Sequence, residues 1–521
     1  MTGDSDARLT GLAAEILHDA IQVYSQADME RWLISSNPVL SSWQVGMFAA
    51  ADARDAFPAS QRGSSAIHGL RATLRIPAQL PALRLPRSGE LAGRARSAPL
   101  LAKLAALAAW AGTRGKLVTG ADELSPADAA DAARAAGVAP RELPYLWEYA
   151  LASWWLELGD DGTGRARAVP GEVAARWADG DDSGALHVWA VVFAAVLAQA
   201  LNVAASLDPG TAARLSFDGQ GVALAVRLFL DRQRGLPASS VTQLVMDGAV
   251  SDSSSSRTRR AWDAWVRAHG DPALPLLSSL AELGAVLAAD SWELTPLALW
   301  ALREQLTSAG VDVPLLPASL AEMTAADLVA LAGGVSEDRF RADTLAWAAT
   351  RGAAGDGPER AARELLDLAA GGGPQDRLVA VRAVRHIGPA ADPAWRSAMR
   401  RPALRAYARI ALATAASGAP DATMPFVVAP EPDDLTWMAT DLLALACGDE
   451  DPDPGAIRAQ FAEAVPAGEE PWIFDLMSRN SHPDVVRVLL VLGRHHPDRR
   501  VARDARKAAA SARRMRDAIA G

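Results

Sequence analysis

The chain has 521 residues, of which 50% are apolar and 22% are charged, and its formal net charge at pH 7 is −10. This length exceeds what one hydrophobic core usually serves, and the composition excludes an intrinsically disordered chain. The acidic balance argues against a protein that coats nucleic acid over its whole surface. The single cysteine, Cys447, excludes an intramolecular disulfide and a thiolate-rich zinc site.

The first 98 residues are predicted in two parts. Apolar residues at helical spacing, among them Leu12, Ile16 and Tyr24, predict an N-terminal helical region over residues 1–70. Residues 71–98 include the arginine- and proline-rich stretch RATLRIPAQLPALRLPRSGELAGRAR. Proline breaks helices, so these residues are predicted to form an extended, positively charged connector.

Residues 99–210 are predicted to form a first winged-helix-like domain. A helix over Leu100 to Ala111 precedes a short strand at Leu117 and Val118, and Ser125-Pro126 begins a second helix. A third helix from Glu142 to Ser153 is followed by a hairpin, with strands at Trp154 to Leu158 and Ala166 to Val169. This order of helices and strands is typical of winged-helix domains.

A second winged-helix-like domain is predicted over residues 211–320. Leu274-Pro275-Leu276-Leu277 repeats Leu143-Pro144-Tyr145-Leu146 at a distance of 131 residues. Strands are predicted at Ala285 to Ala288 and Trp292 to Leu294, and Thr295-Pro296 begins a helix. The shared order indicates an internal duplication, with coincidence as the alternative.

The most apolar stretch, Val188 to Ala205, approaches the length of a membrane span. Gln199 and Asn202 interrupt it, and acidic residues rather than Lys or Arg lie near its ends. We therefore predict a buried core helix and no membrane partner. The N-terminus lacks the basic-then-apolar pattern of a secretory signal, which predicts a cytoplasmic protein.

Residues 321–521 are predicted to form a HEAT-like helical array with an acidic insert over residues 431–453. Short helices separated by Gly- and Pro-containing turns are typical of arrays in which each pair packs only on its neighbours. The predicted helices are Ala361 to Ala370, Leu378 to Ile387, Pro393 to Met399, Ala403 to Ala416, Val485 to Leu492 and Val501 to Ala518. The fold class predicted for the whole chain is mainly α.

Three segments resemble known sequences. LTPLALWALREQL (Leu294 to Leu306), LPYLWEYA (Leu143 to Ala150) and LGRHHPDRRVARDARKAAASARR (Leu492 to Arg514) are similar to segments of uncharacterised actinobacterial proteins related to the plasmid pRiA4b ORF-3-like group. The resemblance implies a helical, cytoplasmic protein and carries no catalytic residues over to this chain.

The motifs of common chemistries are missing. Gly115-Lys116 lacks the other residues of a phosphate-binding loop, no G-x-S-x-G motif occurs, and Cys447 follows an apolar run that would raise its thiol pKa. His495-His496 and the acidic run after Cys447 are weak metal candidates with solvated surface as the simpler interpretation. No catalytic residue, cofactor or metal site is therefore predicted, although His386 and His68 remain acid–base candidates.

Arginine clustering gives the strongest binding hypothesis. The arginine row is the set predicted to contact a macromolecule: Arg377, Arg382, Arg385, Arg396, Arg400, Arg401, Arg405 and Arg409. The stretch Arg487 to Arg516 adds further basic residues. Two alternatives stay open, namely that these arginines only cover polar helix faces, or that the acidic insert lies against the row and neutralises it.

These observations predict a non-enzymatic scaffold or regulatory protein that binds another macromolecule through the array, with a protein as the first partner class. Nucleic acid is the other partner class. The alternative function is a DNA-associated transcriptional regulator that uses the winged-helix modules, and a third is an enzyme with a dispersed site. Trp262 and Trp265, flanked by Arg257 and Arg267, are predicted to pack in the core, with a binding surface as the alternative.

Overall fold

The computed structural model describes residues 76–520, apart from 114–115, 118–123, 161–165, 179, 207, 213–214, 251–255, 289–290, 353–355, 418–430, 448–454 and scattered positions between 456 and 467. The predicted helical region over residues 1–70 lies outside the described residues. The described chain is mainly helical and divides into two compact units. The N-terminal unit contains 76–318 and Gly334–Ser336, and the C-terminal unit contains Ser319–Gly333 and 337–520.

The N-terminal unit combines helices with short strands. In chain order its elements are β1 Leu83–Arg84, α1 Ser88–Arg96, α2 Pro99–Gly112, β2 Lys116–Leu117, α3 Pro126–Ala136, α4 Leu143–Ala152, β3 Leu156–Asp160, β4 Ala166–Pro170, α5 Glu172–Ala178, α6 Asp182–Ser206, α7 Pro209–Ala212, α8 Gln220–Leu230, α9 Ala238–Ala249, α10 Ser256–His269, α11 Ala273–Glu282, β5 Val286–Ala288, β6 Trp292–Leu294, α12 Pro296–Ser308 and β7 Leu315–Leu316.

Helix α6 is the centre of this unit. It packs against α1, α4, α5, α7, α8 and α11, so its apolar side chains face neighbours around most of its circumference. Trp189 is fully buried, stacks on Phe193 and donates its indole N–H to the Leu283 carbonyl at 2.8 Å. A helix that is apolar on all sides needs such surroundings in water. The prediction of a buried core helix for this stretch is therefore confirmed.

The segment from α2 to β4 has the predicted order of elements. Ser125 caps α3 by accepting the Asp128 backbone N–H at 3.2 Å, as expected for a serine before a helix-opening proline. Strands β2, β4 and β3 form an antiparallel sheet in that order, with β4 in the middle. The hairpin strands begin and end within two residues of their predicted positions. Residues 161–165, which include part of the predicted turn, lie outside the described residues.

The segment from α8 to β6 repeats these features. Leu236 bridges Trp292 of β6, and β6 pairs with β5, which reproduces the order of the first sheet. After α4 the Trp155 N–H bonds to the Ala150 carbonyl, and after α11 the Ala285 N–H bonds to the Leu280 carbonyl.

The structural repeat length differs by one residue from the sequence-based length of 131. Tyr149 and Ser279 are 130 residues apart and occupy corresponding positions, and their hydroxyl oxygens meet at 3.0 Å. The sequence motif aligns Pro144 with Pro275. The pattern of buried and exposed residues instead aligns exposed Pro144 with exposed Leu274. The pattern of buried and exposed residues therefore decides the register, and the shared proline does not.

The connector predicted over 71–98 is only partly extended. Gln79 bridges Asp312, and β1 pairs in parallel with β7, so the proline-containing part is extended as expected. Ser88–Arg96 is instead a helix, and its Leu91, Ala92 and Ala95 lie in the core. This correction has a local cause, because no proline follows Pro86 until Pro99 and the nine residues SGELAGRAR can form a helix.

Most buried apolar residues of the two predicted winged-helix-like domains, 99–210 and 211–320, belong to one hydrophobic cluster that runs from Ile76 to Val313, while Ala204, Ala212 and Trp265 form a small separate cluster. The boundary between the two units follows Ala318.

The C-terminal unit is a succession of helices. They are α13 Ala325–Leu331, which runs into a 3₁₀ turn, α14 Glu337–Ala349, α15 Gly357–Gly371, α16 Pro374–Ile387, α17 Asp392–Ala398, α18 Pro402–Ser417, α19 Pro432–Cys447, α20 Glu470–Arg479, α21 Val485–His495 and α22 Arg499–Ala520. Consecutive helices pack on each other, as α15 does on α16, α18 on α19 and α21 on α22. Helix α19 also packs against α16 and α21. It covers most of the acidic insert 431–453, from Pro432 to Cys447, and the residues after Cys447 lie outside the described part.

Candidate functional site

Most of the arginine row is paired with carboxylates of the same chain. The pairs are Arg377 with Asp441 at 2.9 Å, Arg382 with Glu337 at 3.1 Å, Arg396 with Asp392 at 3.7 Å, Arg401 with Asp367 at 2.5 Å, Arg405 with Asp434 at 3.0 Å and Arg409 with Glu431 at 3.0 Å. Arg385 and Arg400 are exposed, and no described carboxylate lies within ion-pair distance of either. The row therefore presents much less uncompensated positive charge than its sequence suggests.

Asp434 in the first turn of α19 is a counterion for two arginines. Its side chain is 2% exposed and accepts hydrogen bonds from Arg405 and Arg409 of α18. It also accepts the Glu431 backbone N–H at 3.1 Å. The acidic insert thus lies against part of the arginine row and neutralises it, which was one of the alternatives that the sequence left open.

The second counterion, Asp441, is the centre of a buried polar cluster. Its Oδ2 accepts from Arg377 Nε at 2.9 Å and from the Tyr407 hydroxyl at 2.7 Å, while its Oδ1 accepts from His482 Nε2 at 2.8 Å. Arg377 also donates to the carbonyls of Ala369 and Gly372. The carboxylate thereby joins α16, α18, α19 and the segment before α21. We call Arg377, Tyr407, Asp441 and His482 the Asp441 cluster.

Hydrogen bonding fixes the protonation pattern in the Asp441 cluster. His482 Nδ1 accepts the Asp484 backbone N–H at 3.0 Å, so the ring proton must be on Nε2, the atom that faces Asp441. His482 is therefore a neutral donor in this arrangement. Burial and the adjacent Asp441 carboxylate raise the pKa of Tyr407 well above its usual value. One guanidinium and one carboxylate balance each other, as a buried pair requires.

The Asp441 cluster is built for stability and not for catalysis. The side chains of Arg377 and Asp441 are 2% and 0% exposed, and His482 is fully buried. A catalytic group must reach its substrate within hydrogen-bond distance. The Asp441 carboxylate binds the other three side chains, and all four side chains are almost completely shielded from solvent.

Glu337 joins the other described histidine candidate, His386, to Arg382. His386 Nε2 lies 2.7 Å from Glu337 Oε1, and Arg382 Nη1 lies 3.1 Å from Oε2. The hydrogen bond to His386, followed by the charge of Arg382, lowers the pKa of Glu337 against the opposing effect of burial. Arg382 also lies over the Phe340 ring at 4.8 Å. These contacts tie α14 to α16, which is a structural role. His68 lies outside the described residues.

Helix α22 carries an exposed basic surface in the described part of the chain. Its apolar side, including Val501, Ala505, Ala509 and Ala512, lies in the core of the C-terminal unit. The opposite side carries exposed basic side chains, which we call the C-terminal basic face: Arg499, Arg500, Arg503, Lys507, Arg513 and Arg514. Within this face, Arg503 and Lys507 each lie 3.7 Å from Asp504. No described carboxylate forms an ion pair with the other four.

Two hydrogen bonds hold α22 in place beside this face. Arg506 donates to the Gly493 carbonyl, and Arg516 donates to the His482 carbonyl. At its N-terminus Asp498 accepts the backbone N–H groups of Arg500 and Val501, and these hydrogen bonds lower the pKa of Asp498. The helix terminus therefore already has an internal anion, and the free basic groups lie along the side of the helix.

The remaining sequence candidates are structural in the described part. Trp262 and Trp265 of α10 are 4% and 1% exposed, which confirms that they pack in the core. Burial raises the pKa of the Cys447 thiol to about 11, so the group is a protonated, unreactive thiol at neutral pH. His496 Nδ1 accepts the Asp498 backbone N–H at 3.2 Å, and its ring lies against Phe461.

The described residues contain no group of three or more His, Cys, Asp or Glu side chains arranged to hold a metal ion. A cavity lined by Gln220, Arg227, Leu244 and Val245 encloses about 10 Å³, which is room for about one water molecule.

Sequence reasoning missed Asp441, Tyr407 and His482. Asp441 and Arg377 are 64 residues apart, and His482 is a further 41 residues along the chain. One local signal was present, because Asp441 begins the apolar run LLALA, where an unpaired carboxylate would be costly. Its partners could only be found from the packing of the helices.

Among the described residues, α6 is the one helix that is long and apolar enough to cross a membrane by length and composition, and 67% of its most apolar window is buried within the protein. Comparison of the chain with family models, curated proteins and solved structures found no match. The relation to the pRiA4b ORF-3-like group stays a prediction. Function must therefore be argued from the surfaces and clusters described above.

Proposed function

We propose that the protein is a non-enzymatic scaffold or regulatory protein, and that the C-terminal unit is a HEAT-like array that binds another macromolecule. The observation that carries this proposal is the C-terminal basic face, whose charges are solvent-exposed and largely without carboxylate partners. The proposed contact surface thus moves from the arginine row, most of which is paired internally, to α22. The setting we propose is the cytoplasm.

Helix packing in the C-terminal unit supports the proposal. Consecutive helices bury their apolar sides on their neighbours, and α22 does so against α20 and α21. Arrays of this kind leave the outward sides of their helices free for partners. A rigid helix whose inner side is fixed by packing holds its outward charges in a defined row, which favours binding to a partner of complementary charge.

The ionisable groups of the C-terminal unit support an enzymatic function less well. The Asp441 cluster is buried and its carboxylate is bonded to the other three members, and the Glu337, Arg382 and His386 group is bonded between two helices. An active site needs convergent polar groups in an accessible pocket. The Asp441 cluster lacks that access, and the partly exposed side chains of the second group are engaged with one another between α14 and α16.

The second candidate function is a DNA-associated transcriptional regulator with winged-helix modules. The observation that favours it is the element order of the N-terminal unit together with the strand order β2, β4, β3. In such modules the helix before the hairpin reads DNA. Helix α4 occupies that place but has no Lys or Arg, and its Trp147 and Tyr149 are buried. We propose that these modules serve domain packing.

The proposal can be tested by comparing two variants with equal charge changes. Arg499→Glu, Arg503→Glu and Arg514→Glu together reverse the C-terminal basic face. The matched control reverses three exposed arginines on other helices of the same unit: Arg341→Glu, Arg385→Glu and Arg400→Glu. The last two are also the unpaired members of the arginine row.

Tagged full-length protein is recovered from its own cells after crosslinking, and bound protein and nucleic acid are quantified. We expect a stoichiometric partner that is retained by wild type and by the control, and that is lost from the α22 variant. Absence of any partner, or equal loss from both variants, would show that the C-terminal basic face is not the binding surface.

A further inference from the structure

We propose that the C-terminal basic face binds the phosphodiester backbone of nucleic acid without reading its sequence. This inference rests on the proposed function and names the partner class for the same surface. Three features of the molecule support it: the spacing of the charges, the side chains between them and the fixed position of α22.

The basic residues form one continuous strip along α22. Arg499, Arg503 and Lys507 follow one another at intervals of four residues, and Arg500, Lys507 and Arg514 at intervals of seven, so both sets lie on one side of the helix. From Arg499 to Arg514 the strip is about 22 Å long at 1.5 Å per residue. Such a length suits several successive phosphates rather than a single small anion.

Chemistry of the strip favours phosphate over an acidic protein. Five of its six named members are arginines, whose planar guanidinium groups make paired hydrogen bonds to phosphate oxygens. Protein interfaces usually depend on buried aromatic or aliphatic anchors at their centre. Between the charges of this strip the exposed uncharged residue is the small Ala510, and Ser511 borders it. Charge therefore dominates the contact.

The geometry also indicates backbone contact rather than base recognition. A recognition helix must project into a groove, whereas α22 is packed along its whole apolar side against the body of the unit. Arg506 and Arg516 hold it there through backbone carbonyls. A basic strip on a fixed helix can lie across phosphates, and phosphate contacts carry no direct sequence information.

The net charge of −10 limits this binding to one surface. Acidic surface elsewhere repels a polyanion, so nucleic acid would engage the C-terminal basic face alone. If about four phosphates are neutralised, the slope of log affinity against log salt for duplex DNA is about −3.6. Affinity should then fall about 150-fold when salt is raised from 50 to 200 mM.

The test uses the full chain and fluorescein-labelled probes of unrelated sequence: a 20-nucleotide single strand, a 20-base-pair duplex and, as an acidic polypeptide, poly-glutamate. Fluorescence anisotropy is measured across this salt range for wild type, for the α22 triple variant and for the matched control with Arg341, Arg385 and Arg400 reversed. A second variant with alanine at Arg499, Arg503 and Arg514 removes charge without adding any. Circular dichroism checks that each variant is folded.

We expect wild type and the control to bind nucleic acid equally well. For each protein the affinity should be similar for probes of different sequence and should show the steep salt dependence given above. The alanine variant should bind at least tenfold more weakly at 50 mM salt, with a flatter slope, and the glutamate variant should not bind. Equal binding by wild type and the alanine variant would overturn the inference, as would tighter binding to poly-glutamate.

The two proposals fail in different ways. If wild type binds no nucleic acid but loses a cellular protein partner when the face is reversed, the binding surface is correct and the phosphodiester assignment is wrong. If neither nucleic acid nor a cellular partner depends on α22, both proposals are wrong.

Discussion

Replacing Asp441 with asparagine should strongly destabilise the C-terminal unit, although the two side chains have nearly the same shape. Asp441 offers both carboxylate oxygens, with Oδ2 accepting from Arg377 and Tyr407 and Oδ1 from His482. The asparagine side chain has one oxygen and one NH₂ group. Either the Arg377 and Tyr407 donors or the His482 donor would therefore face another donor instead of an acceptor. His482 cannot become the acceptor there, because its Nδ1 already accepts the Asp484 N–H.

The expected cost is set by the guanidinium that remains. Arg377 is 2% exposed and would be left as a buried charge without its counterion. Removing one partner of a buried ion pair costs about 3–5 kcal/mol. Since 1.36 kcal/mol corresponds to a tenfold change, the population of opened molecules should rise by a factor of about 10² to 10⁴.

Cys447 provides the measurement. It is the chain's one cysteine, it is 2% exposed, and it ends the helix that carries Asp441. Its thiol pKa of about 11 leaves it protonated at neutral pH, so a thiol reagent should modify it through opened states. We expect Asp441→Asn to speed this modification by the factor given above, at a pH and reagent concentration where opening is a fast pre-equilibrium.

A matched substitution shows whether the effect of removing a carboxylate depends on its burial. Asp475→Asn breaks an exposed pair with Arg479, where the two side chains are 50% and 63% exposed, and should change the rate less than about fivefold. Adding Arg377→Met to Asp441→Asn removes the unpaired charge and should slow the modification again. A rate for Asp441→Asn as close to wild type as that of Asp475→Asn would refute the reasoning.

Two further predictions concern the backbone and pH. Trp154 has φ of 62° and is 46% exposed, so Trp154→Gly should leave the free energy of unfolding unchanged or raise it by up to about 1 kcal/mol. Trp155 is 1% exposed, so Trp155→Ala should lower that free energy by about 3–5 kcal/mol. A large loss of stability for Trp154→Gly in calorimetry would contradict this prediction. The lowered pKa of Glu337 stabilises the folded state above its usual value of 4.5, and this contribution is lost as pH falls through the lowered value. Glu337→Gln should therefore be less stable than wild type at pH 7, and its free energy of unfolding, measured by urea titration, should fall less than that of wild type between pH 5 and 3. If the free energies of the two proteins fall in parallel over this range, the bonds of Glu337 to His386 and Arg382 do not contribute as described.

The helices and hairpins of the described chain could largely be read from the sequence. Ser125-Pro126 and Thr295-Pro296 begin helices through their hydroxyl caps, and Trp292–Leu294 forms a strand where it was predicted. These signals are local, because a cap or a hairpin depends on residues a few positions apart. The register of the repeat was one residue wrong, since a shared proline is a weaker guide than burial.

The charge state of the arginine row could not be predicted from local sequence. Its composition identified a basic region, but whether a charge is free depends on carboxylates brought close by folding, such as Asp434 and Asp441. The sequence placed α22 among the basic segments but gave no reason to rank it above the row. Only the packing of its apolar side, together with the few carboxylates near its other side, shows that its charges remain exposed.

The sequence by itself determined a mainly helical protein, the positions of most described helices and hairpins, and the identity of its basic segments. These follow from periodicity, caps and composition, which act over a few residues. Tertiary structure decided which arginines are neutralised, which register the repeat adopts and which helix side faces solvent. Ion pairing and burial depend on distances between residues that are far apart in the chain, and these distances exist only after the helices have packed.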